Sequence, residues 1–315
     1  MKDLAWPTLQ AMPGPVFRAA PVRVRVPATS ANLGPGFDAF GLALGLYDDV
    51  MVRVADSGLT VDVAGEGADT VSRGEDNLVV RAMRATFDAL GGQPRGLELV
   101  CANRIPHGRG LGSSAAAICA GIMAAVALTA GGQQRLGPEE LLRLATELEG
   151  HPDNVAACLR GGFTLAWTDD TGPHAVRLEP HAELRPVVFV PDKPVSTEEA
   201  RRLLPKTVPH ADAAANAGRA ALFVEAVTRR PELLYAATED RLHQRYRAPA
   251  MPESADLVDL LRGKGVPAVI SGAGPTVLAL VTNRVIHDIL DVIDQSWAVH
   301  QLTVDAEGAS ILALT

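Results

Sequence analysis

The sequence predicts an α+β protein made of two closely packed domains. A chain of 315 residues exceeds what one hydrophobic core usually organises. The first half mixes strands with helices that are grouped together rather than strictly alternating with the strands. The second half contains two units of helix and strand, a pattern typical of a ferredoxin-like domain.

Alternating apolar and polar residues predict the strands of the first half, and capping residues predict its helices. Asp76 is the expected N-cap of the first helix, the glycine loop ending at Gly112 opens the second, and Pro138 starts the third. The strands are predicted at residues 22–26, 50–54, 60–63, 97–101 and 162–167, and the helices at 76–91, 112–132 and 138–150.

The second half is predicted to begin after a short join at residues 168–172. Ser196 and Glu199 form the pattern of a capping box, which indicates the start of a short helix. Further helices are predicted at 211–228, 231–243, around 258–261 and at 285–293, and strands at 184–190, 268–270, 277–281, 299–304 and 311–314.

Composition limits the functional classes. A net charge of -8 argues against nucleic acid or an anionic membrane as the main partner. Cys101, Cys119 and Cys158 are odd in number and lack metal-type spacing, which favours buried, unpaired thiols in a reducing cytoplasm. The N-terminus lacks the layout of a signal peptide. The uncharged stretch 115–132 is too short for a membrane span, so we interpret it as a buried helix.

The segment 106–116, Pro-His-Gly-Arg-Gly-Leu-Gly-Ser-Ser-Ala-Ala, is the most informative part of the chain. Its three glycines let backbone N–H groups approach a ligand closely. The loop opens onto a helix, whose N-terminal amides favour a phosphate. Ser113 and Ser114 add hydroxyls that suit a phosphate oxygen and a magnesium ion. Since no lysine follows the glycines, this is not a Walker A loop, and a plain glycine turn with capping serines is the alternative.

The full string closely resembles the phosphate-binding motif of the GHMP kinases. Two further segments, 27–44 and 271–276, resemble motifs of this family and occur in its order. The resemblance runs from about Val22 to the end of the chain. It implies a GHMP kinase fold, with an N-terminal ribosomal-protein-like α/β domain and a C-terminal ferredoxin-like domain. The ranges it implies are 1–20 for an N-terminal extension, 21–170 for the nucleotide-binding domain and 171–315 for the C-terminal domain.

Within the family, residues 30–38 are similar to the version found in homoserine kinases. This implies that ATP, with Mg²⁺, phosphorylates the side-chain hydroxyl of L-homoserine, a step of threonine biosynthesis, in the cytoplasm. Whether the protein forms a homodimer is left open. The alternatives are a mevalonate- or shikimate-type kinase and a non-catalytic sensor with the same fold. The expected ATP-binding residues are Asn77, Pro106, His107, Gly108, Arg109, Gly110, Leu111, Gly112, Ser113, Ser114, Ala115, Ala116 and Gly272.

The same resemblance implies the residues that hold the acceptor. Asn32 can both donate to and accept from a hydroxyl, and Asp38 can hold the substrate ammonium, although an Asx-type turn is its alternative. Asn154 stands where mevalonate kinases have an aspartate base, so we expect Asn32 and Asn154 to position the hydroxyl without a general base.

Two arginines are expected to grip the substrate carboxylate, because guanidinium groups bind carboxylates with two parallel hydrogen bonds. Arg201 and Arg247 match the family segments, and Arg202 and Arg245 are the alternatives.

The magnesium ligands are expected to be Ser114 and Glu149, with Glu147 as the alternative carboxylate. His151, beside Asp153, could act as a base, but we favour a structural hydrogen-bonding role for it.

Overall fold

The computed structural model describes residues 14–282 and 296–313, which form two β-sheets with helices packed against them. The strands are β1 Val22–Ala31, β2 Phe40–Ala55, β3 Gly58–Gly65, β4 Gly96–Asn103, β5 Phe163–Asp169, β6 Gly172–Leu178, β7 Leu184–Pro191, β8 Ala268–Ile270, β9 Val277–Thr282, β10 Trp297–Gln301 and β11 Ser310–Leu312. The helices are α1 Leu78–Ala89, α2 Ser113–Leu128, α3 Gly132–Arg135, α4 Pro138–Glu149, α5 Pro152–Arg160, α6 Thr197–Arg202, α7 His210–Thr228, α8 Leu234–Ala237, α9 Gln244–Arg247 and α10 Pro252–Gly263.

The first sheet has the order β11-β1-β2-β4-β3, with β5 paired to the start of β2 and β6 paired to β5. Only β3 and β4 run parallel; the other described pairs of this sheet are antiparallel. Alternate residues of its strands, such as Val24 and Val50, face a core that α1 and α2 cover. Since α2 carries no charged residue and is buried nearly throughout, its interpretation as a core helix is confirmed.

The second sheet has the order β10-β7-β9-β8, all antiparallel. Successive residues of β7 point to opposite faces, and both faces are buried. Val188 and Val190 belong to the core shared with the first sheet, whereas Val187 and Phe189 pack in a second cluster with Leu261 of α10. The second domain is therefore held to the first through the inner face of its sheet.

Most predicted elements are confirmed, with several differences, one of which is strand β6, where no strand was predicted. The N-cap of α1 is Asn77 rather than Asp76, because the Asn77 side chain accepts from the Val79 and Val80 amides. The predicted helix 231–243 ends at Ala237. The segment 152–160, for which no helix or strand was predicted, is helix α5. Residues 168–172, the predicted join, lie at the tip of the β5–β6 hairpin, and the chain changes sheets between Leu178 and Leu184. The predicted helix 285–293 lies outside the described residues.

All three cysteines are buried and free, as expected. Across residues 14–282 and 296–313, no helix has the length and apolar character needed to cross a membrane.

Candidate active site

The glycine loop lies between β4 and α2, and its three glycines adopt left-handed backbone conformations. The φ angles are 64° at Gly108, 74° at Gly110 and 70° at Gly112, values that favour glycine. A Cβ atom at Gly110 would collide with the Ser271 carbonyl, and one at Gly112 with the Thr29 hydroxyl. These two glycines are therefore required by the neighbouring motifs as well as by any ligand.

The other two motifs hold the loop from outside by binding its carbonyl groups. The Ser271 hydroxyl donates to the Gly110 carbonyl at 2.6 Å, the Thr29 amide donates to Leu111 at 3.0 Å, and the Thr276 amide to Arg109 at 3.2 Å. At the start of α2 the first amides have no partner within the helix, so they remain donors for an anion. The loop therefore presents N–H groups and helix-dipole potential, rather than side-chain cations, to its ligand.

The Arg109 side chain is directed to the second domain. Its guanidinium donates to the Pro191 carbonyl at 3.0 Å and to His107 at 2.6 Å, and also to the Asp192 carbonyl. It ties the loop to the end of β7. This leaves the backbone of Arg109, rather than its guanidinium, as the part that can serve a phosphate.

Two cavities meet at the start of α2, and Ser113 and Ser114 line both. The first, of about 260 Å³, is mostly apolar and lies between the sheet and α1. Asn77 lines it, but the Asn77 side chain also caps α1 and donates to the Ser72 carbonyl at 2.8 Å. One amide hydrogen of Asn77 remains for a ligand. The second cavity, of about 310 Å³, is lined by the charged candidate residues Asp38, Glu149, Arg201 and Arg247.

Ser114 and Glu149 lie together at the border of the two cavities. The Ser114 hydroxyl donates to the Glu149 carboxylate at 2.6 Å, and burial raises the pKa of that carboxyl above its ordinary value. Glu147 points away, since it forms an exposed ion pair with Arg143 at 2.6 Å. Of the two candidate carboxylates, only Glu149 lies against Ser114.

His151 and the start of α5 line the second cavity. His151 Nδ1 lies 2.7 Å from the Asp153 carboxylate, whose other close partner is the Asn154 amide, also at 2.7 Å. The hydrogen bond to Asp153 raises the pKa of His151. The Asn154 side-chain oxygen accepts from the Thr29 hydroxyl at 2.8 Å, and its nitrogen donates to the Asp153 carboxylate at 3.4 Å, which leaves one N–H for a ligand in the cavity.

Arg247 lies in this cavity as a buried cation, only 2 % exposed. Its Nη1 donates to His243 Nδ1 and to the Gly272 carbonyl, both at 3.3 Å. Its buried Nε has no hydrogen-bond partner in the part of the chain that the structure describes. Because arginine only donates, His243 Nδ1 must accept, and Nε2–H donates to the Gly34 carbonyl at 2.8 Å. His243 is therefore neutral. Burial, and then the charge of Arg201, lowers the pKa of Arg247.

Arg201 of α6 reaches the cavity from the other side and forms a two-pronged ion pair with Asp38. The distances are 2.9 Å and 3.1 Å, and the side chains are 43 % and 36 % exposed. The predicted carboxylate binder and the predicted ammonium binder thus bind each other. Of the alternatives, Arg202 pairs with Glu198 on the surface, and Arg245 lines a separate cavity.

Asn32 has both ends of its amide engaged. Its oxygen accepts from the Asp38 amide at 2.9 Å, and its nitrogen donates to the Gly272 carbonyl at 2.8 Å. One N–H and one lone pair remain for a hydroxyl. Its first role is to join the first and third motifs, a role that motif comparison alone does not predict.

The sequence reasoning missed several residues that line or shape the acceptor cavity. Thr197 and Asp153 line it directly, and Thr29 orients Asn154. Phe37 stands beside both arginines. Each of these residues lies in or next to a segment that resembles a family motif. Their position in those segments could therefore have indicated that they belong to the site.

The chain matches two family models, the GHMP kinases N terminal domain over residues 77–162 and the GHMP kinases C terminal domain over 213–298. It is 68% identical over 303 residues to a homoserine kinase of Streptomyces coelicolor, covering 96% of this chain and 98% of the relative. A homoserine kinase of Clavibacter michiganensis is 53% identical over 296 residues, covering 92% of this chain and 93% of the relative. The crystal structure of a homoserine kinase from Cytophaga hutchinsonii has a TM-score of 0.79 at 28% identity, covering 94% and 99% of the two chains.

Proposed function

The chain belongs to the homoserine kinases of the GHMP kinase family, and from this premise we propose that it transfers the γ-phosphoryl group of ATP to the side-chain hydroxyl of L-homoserine. The observation that carries the proposal is the acceptor cavity itself. It brings the phosphate-type loop together with a buried arginine whose Nε is unpartnered, so one wall suits phosphate and the other a carboxylate.

In this proposal the nucleotide occupies the apolar cavity and extends to the glycine loop. The adenine packs against aliphatic residues beside α1, where the remaining amide hydrogen of Asn77 can meet a ring nitrogen. The phosphates lie over Gly110 and Gly112, at the positive end of α2. This arrangement is supported by Ser113 and Ser114, which line both cavities.

Mg²⁺ is the expected cofactor, and the residues present fit it. The Ser114 hydroxyl and the Glu149 carboxylate are hard oxygen donors next to the loop, the type of ligand that this cation prefers. The raised pKa of Glu149 reflects a buried charge that a nearby cation would stabilise. The bound ion supplies charge neutralisation at the phosphates.

L-Homoserine is a zwitterion, and its two charges match the two members of an existing ion pair. Its carboxylate binds Arg247 and Arg201, and its ammonium binds Asp38. Arg201 and Asp38 are paired with each other, so the substrate must replace both partners. Its carboxylate takes the place of Asp38 on Arg201, and its ammonium takes the place of Arg201 on Asp38. Arg247 needs no such exchange, because it has no carboxylate partner within ion-pair distance among residues 14–282 and 296–313.

Transfer proceeds without a dedicated base in this proposal. The hydroxyl is oriented by the remaining N–H of Asn154 and by the remaining N–H and lone pair of Asn32. His151 is a poor base, because Asp153 raises its pKa and so favours the form that already carries the proton. A phosphoryl transition state gains little from early deprotonation, so positioning and charge stabilisation contribute most.

The test incubates the purified chain with ATP, Mg²⁺ and one acceptor at a time, and measures ADP together with the phosphorus NMR spectrum of the product. L-Homoserine should give a new phosphomonoester, while mevalonate and shikimate should give only background ADP. Turnover of another acceptor in preference to homoserine would redirect the proposal to that branch of the family. Binding of ATP without turnover of any acceptor would support a sensor.

We further propose a cytoplasmic protein and keep a homodimer as an open expectation. The expected domain boundary at residue 170 falls within the β5–β6 hairpin, so we place it instead between Leu178 and Leu184, where the chain changes sheets. Size-exclusion chromatography with light scattering measures the oligomeric state directly.

A further inference from the structure

Phe37 lies beside the two arginines of the acceptor cavity, Arg201 and Arg247. The Arg247 guanidinium carbon lies 5.2 Å from the centroid of its ring, and that of Arg201 lies 5.8 Å away. The His243 ring is also 5.2 Å from it, tilted by 34°. One half-buried aromatic ring thus contacts two guanidiniums and the imidazole to which one of them is bonded.

Two arginines that share a cavity repel each other, and before a substrate arrives this pair is incompletely compensated. The charge of Arg201 contributes to the lowered pKa of Arg247. Arg201 has Asp38 as a counterion, whereas Arg247 has only a carbonyl oxygen and a neutral imidazole nitrogen. The face of an aromatic ring carries negative electrostatic potential and attracts a guanidinium, most strongly where water is excluded.

The loop that carries Phe37 is fixed at several points. The Asp38 amide donates to Asn32, the Phe40 amide donates to Gly36, and the Asn216 side chain donates to the Pro35 carbonyl at 2.8 Å. The ring is therefore held by the first motif, while Arg201 comes from α6 and Arg247 from α9. The Phe37 ring therefore lies between side chains that come from α6 and α9.

We propose that Phe37 is a positioning residue, whose ring face holds the Arg201 and Arg247 guanidiniums in the arrangement that grips the substrate carboxylate. The proposal rests on the proposed function, because it assigns both arginines to that carboxylate. Phe37 is not among the described residues that line the nucleotide cavity, so its effect should belong to acceptor binding. Nucleotide binding and the chemical step should be unaffected.

The test replaces Phe37 with phenylalanines that carry one, three and five ring fluorines. Fluorine withdraws electron density from the ring face and changes the ring's size little, so log KM for homoserine should rise stepwise along the series. Phe37→Leu, which removes the face, should raise KM about 5- to 10-fold. Phe37→Tyr keeps the face and should stay within about twofold of the wild type. The kcat and the KM for ATP should change less than about twofold in every variant.

Phe17→Leu is the matched control. Phe17 is also half-buried and packs edge-on against another ring, Phe87, at 5.4 Å, but it lies away from the acceptor cavity. This variant should leave all three kinetic constants unchanged while losing some thermal stability. The fluorinated series keeps the shape of the side chain, so it remains informative even where Phe37→Leu folds poorly.

Three results would overturn the proposal: a flat fluorine series, a Tyr variant as impaired as the Leu variant, or an equal rise in KM for ATP. The wild-type assay separates these from a failure of the proposed function. If wild-type protein does not phosphorylate homoserine at all, the assignment of the acceptor is wrong. If it does and the Phe37 series is flat, only the positioning role is lost.

Discussion

At the nucleotide end of the site, the groups proposed to hold the ligand are backbone amides, two serine hydroxyls, the Asn77 amide and aliphatic side chains, which lie on or next to the first sheet, α1 and α2. At the acceptor end they are charged side chains from three separate segments, namely the loop before β2, α6 and α9. The first end needs no conformational exchange to receive phosphates. At the acceptor end, Arg201 and Asp38 form an ion pair with each other, and this pair must break before the two side chains can bind the substrate.

This difference predicts which kinetic constant each substitution should change. Changes at the nucleotide end should alter the chemical step, since the loop and its carboxylate stabilise the charge that develops there. Changes at the acceptor end should alter the KM for homoserine. Their size should depend on what each charge contacts before the substrate arrives.

The largest effect is expected at Glu149. Glu149→Gln keeps the shape and a hydrogen-bond acceptor for Ser114 but removes the charge, so kcat should fall about 10²- to 10³-fold with a folded protein. Steady-state kinetics across a magnesium titration, with a thermal melt of the apo-protein, checks this. Glu147→Gln is the matched control and should behave as wild type, because Glu147 pairs with Arg143 on the surface. A damaging Glu147 variant beside a harmless Glu149 variant would reverse the assignment.

The next effect is at Arg247. Arg247→Leu removes a buried cation that has no prior counterion, so the full loss of the substrate contact should appear, about 2–4 kcal/mol or 30- to 1000-fold in the KM for homoserine. The KM for ATP should barely move. Arg247→Lys, which keeps charge but not the two-pronged geometry, should recover only part of the affinity. Equal losses for both substrates would indicate a structural or phosphate-binding role.

A smaller effect tests the ion-pair exchange directly. Asp38→Asn and Arg201→Gln each remove one contact to the substrate, but each also frees the remaining partner from the pair. In each single variant the substrate no longer has to break the pair, and this gain offsets part of the lost contact. The double variant loses both contacts but makes that gain only once. Its binding penalty should therefore exceed the sum of the single penalties by the strength of the pair, about 0.5–1 kcal/mol for a partly exposed one. Calorimetric titration of homoserine into the four proteins measures this. Strict additivity would mean that the pair does not compete with the substrate.

The same contrast between the two ends explains which parts of the site could be predicted from the sequence. The glycine loop is one continuous string, and local chemistry dictates its glycines and serines, so its place and its helix were predictable. The choice between Glu147 and Glu149 was not, because it depends on where a helix face points. The engagement of Asn32 with Gly272, 240 residues away in sequence, also depends on the packed domains. The fold class followed from element order, whereas α5 was missed because a Pro-Asp-Asn string is equally typical of a turn and of a first helical turn.

The smallest effect is expected at His151, which stands between the two ends. Asp153 raises its pKa, so the folded protein holds the proton more tightly than the unfolded chain does. The stability from this interaction is therefore fully present below the ordinary histidine pKa and is lost as pH rises through the raised value. His151→Ala should lower the unfolding free energy more at pH 5.5 than at pH 8.5, as measured by urea denaturation.

Activity should respond much less to the same substitution. The hydrogen bond to Asp153 raises the pKa of His151 and so disfavours the free-base form that could take the hydroxyl proton. His151→Ala should therefore keep kcat within about threefold of wild type and leave the pH–rate profile nearly unchanged. Asn154→Asp, which would add a carboxylate beside the acceptor hydroxyl, should not accelerate the reaction, because its oxygen is already held by Thr29. The decisive measurement is kcat against pH for both variants. A large fall in kcat for His151→Ala, together with the loss of an ionisation near neutral pH, would make histidine the base and end the mechanism without one.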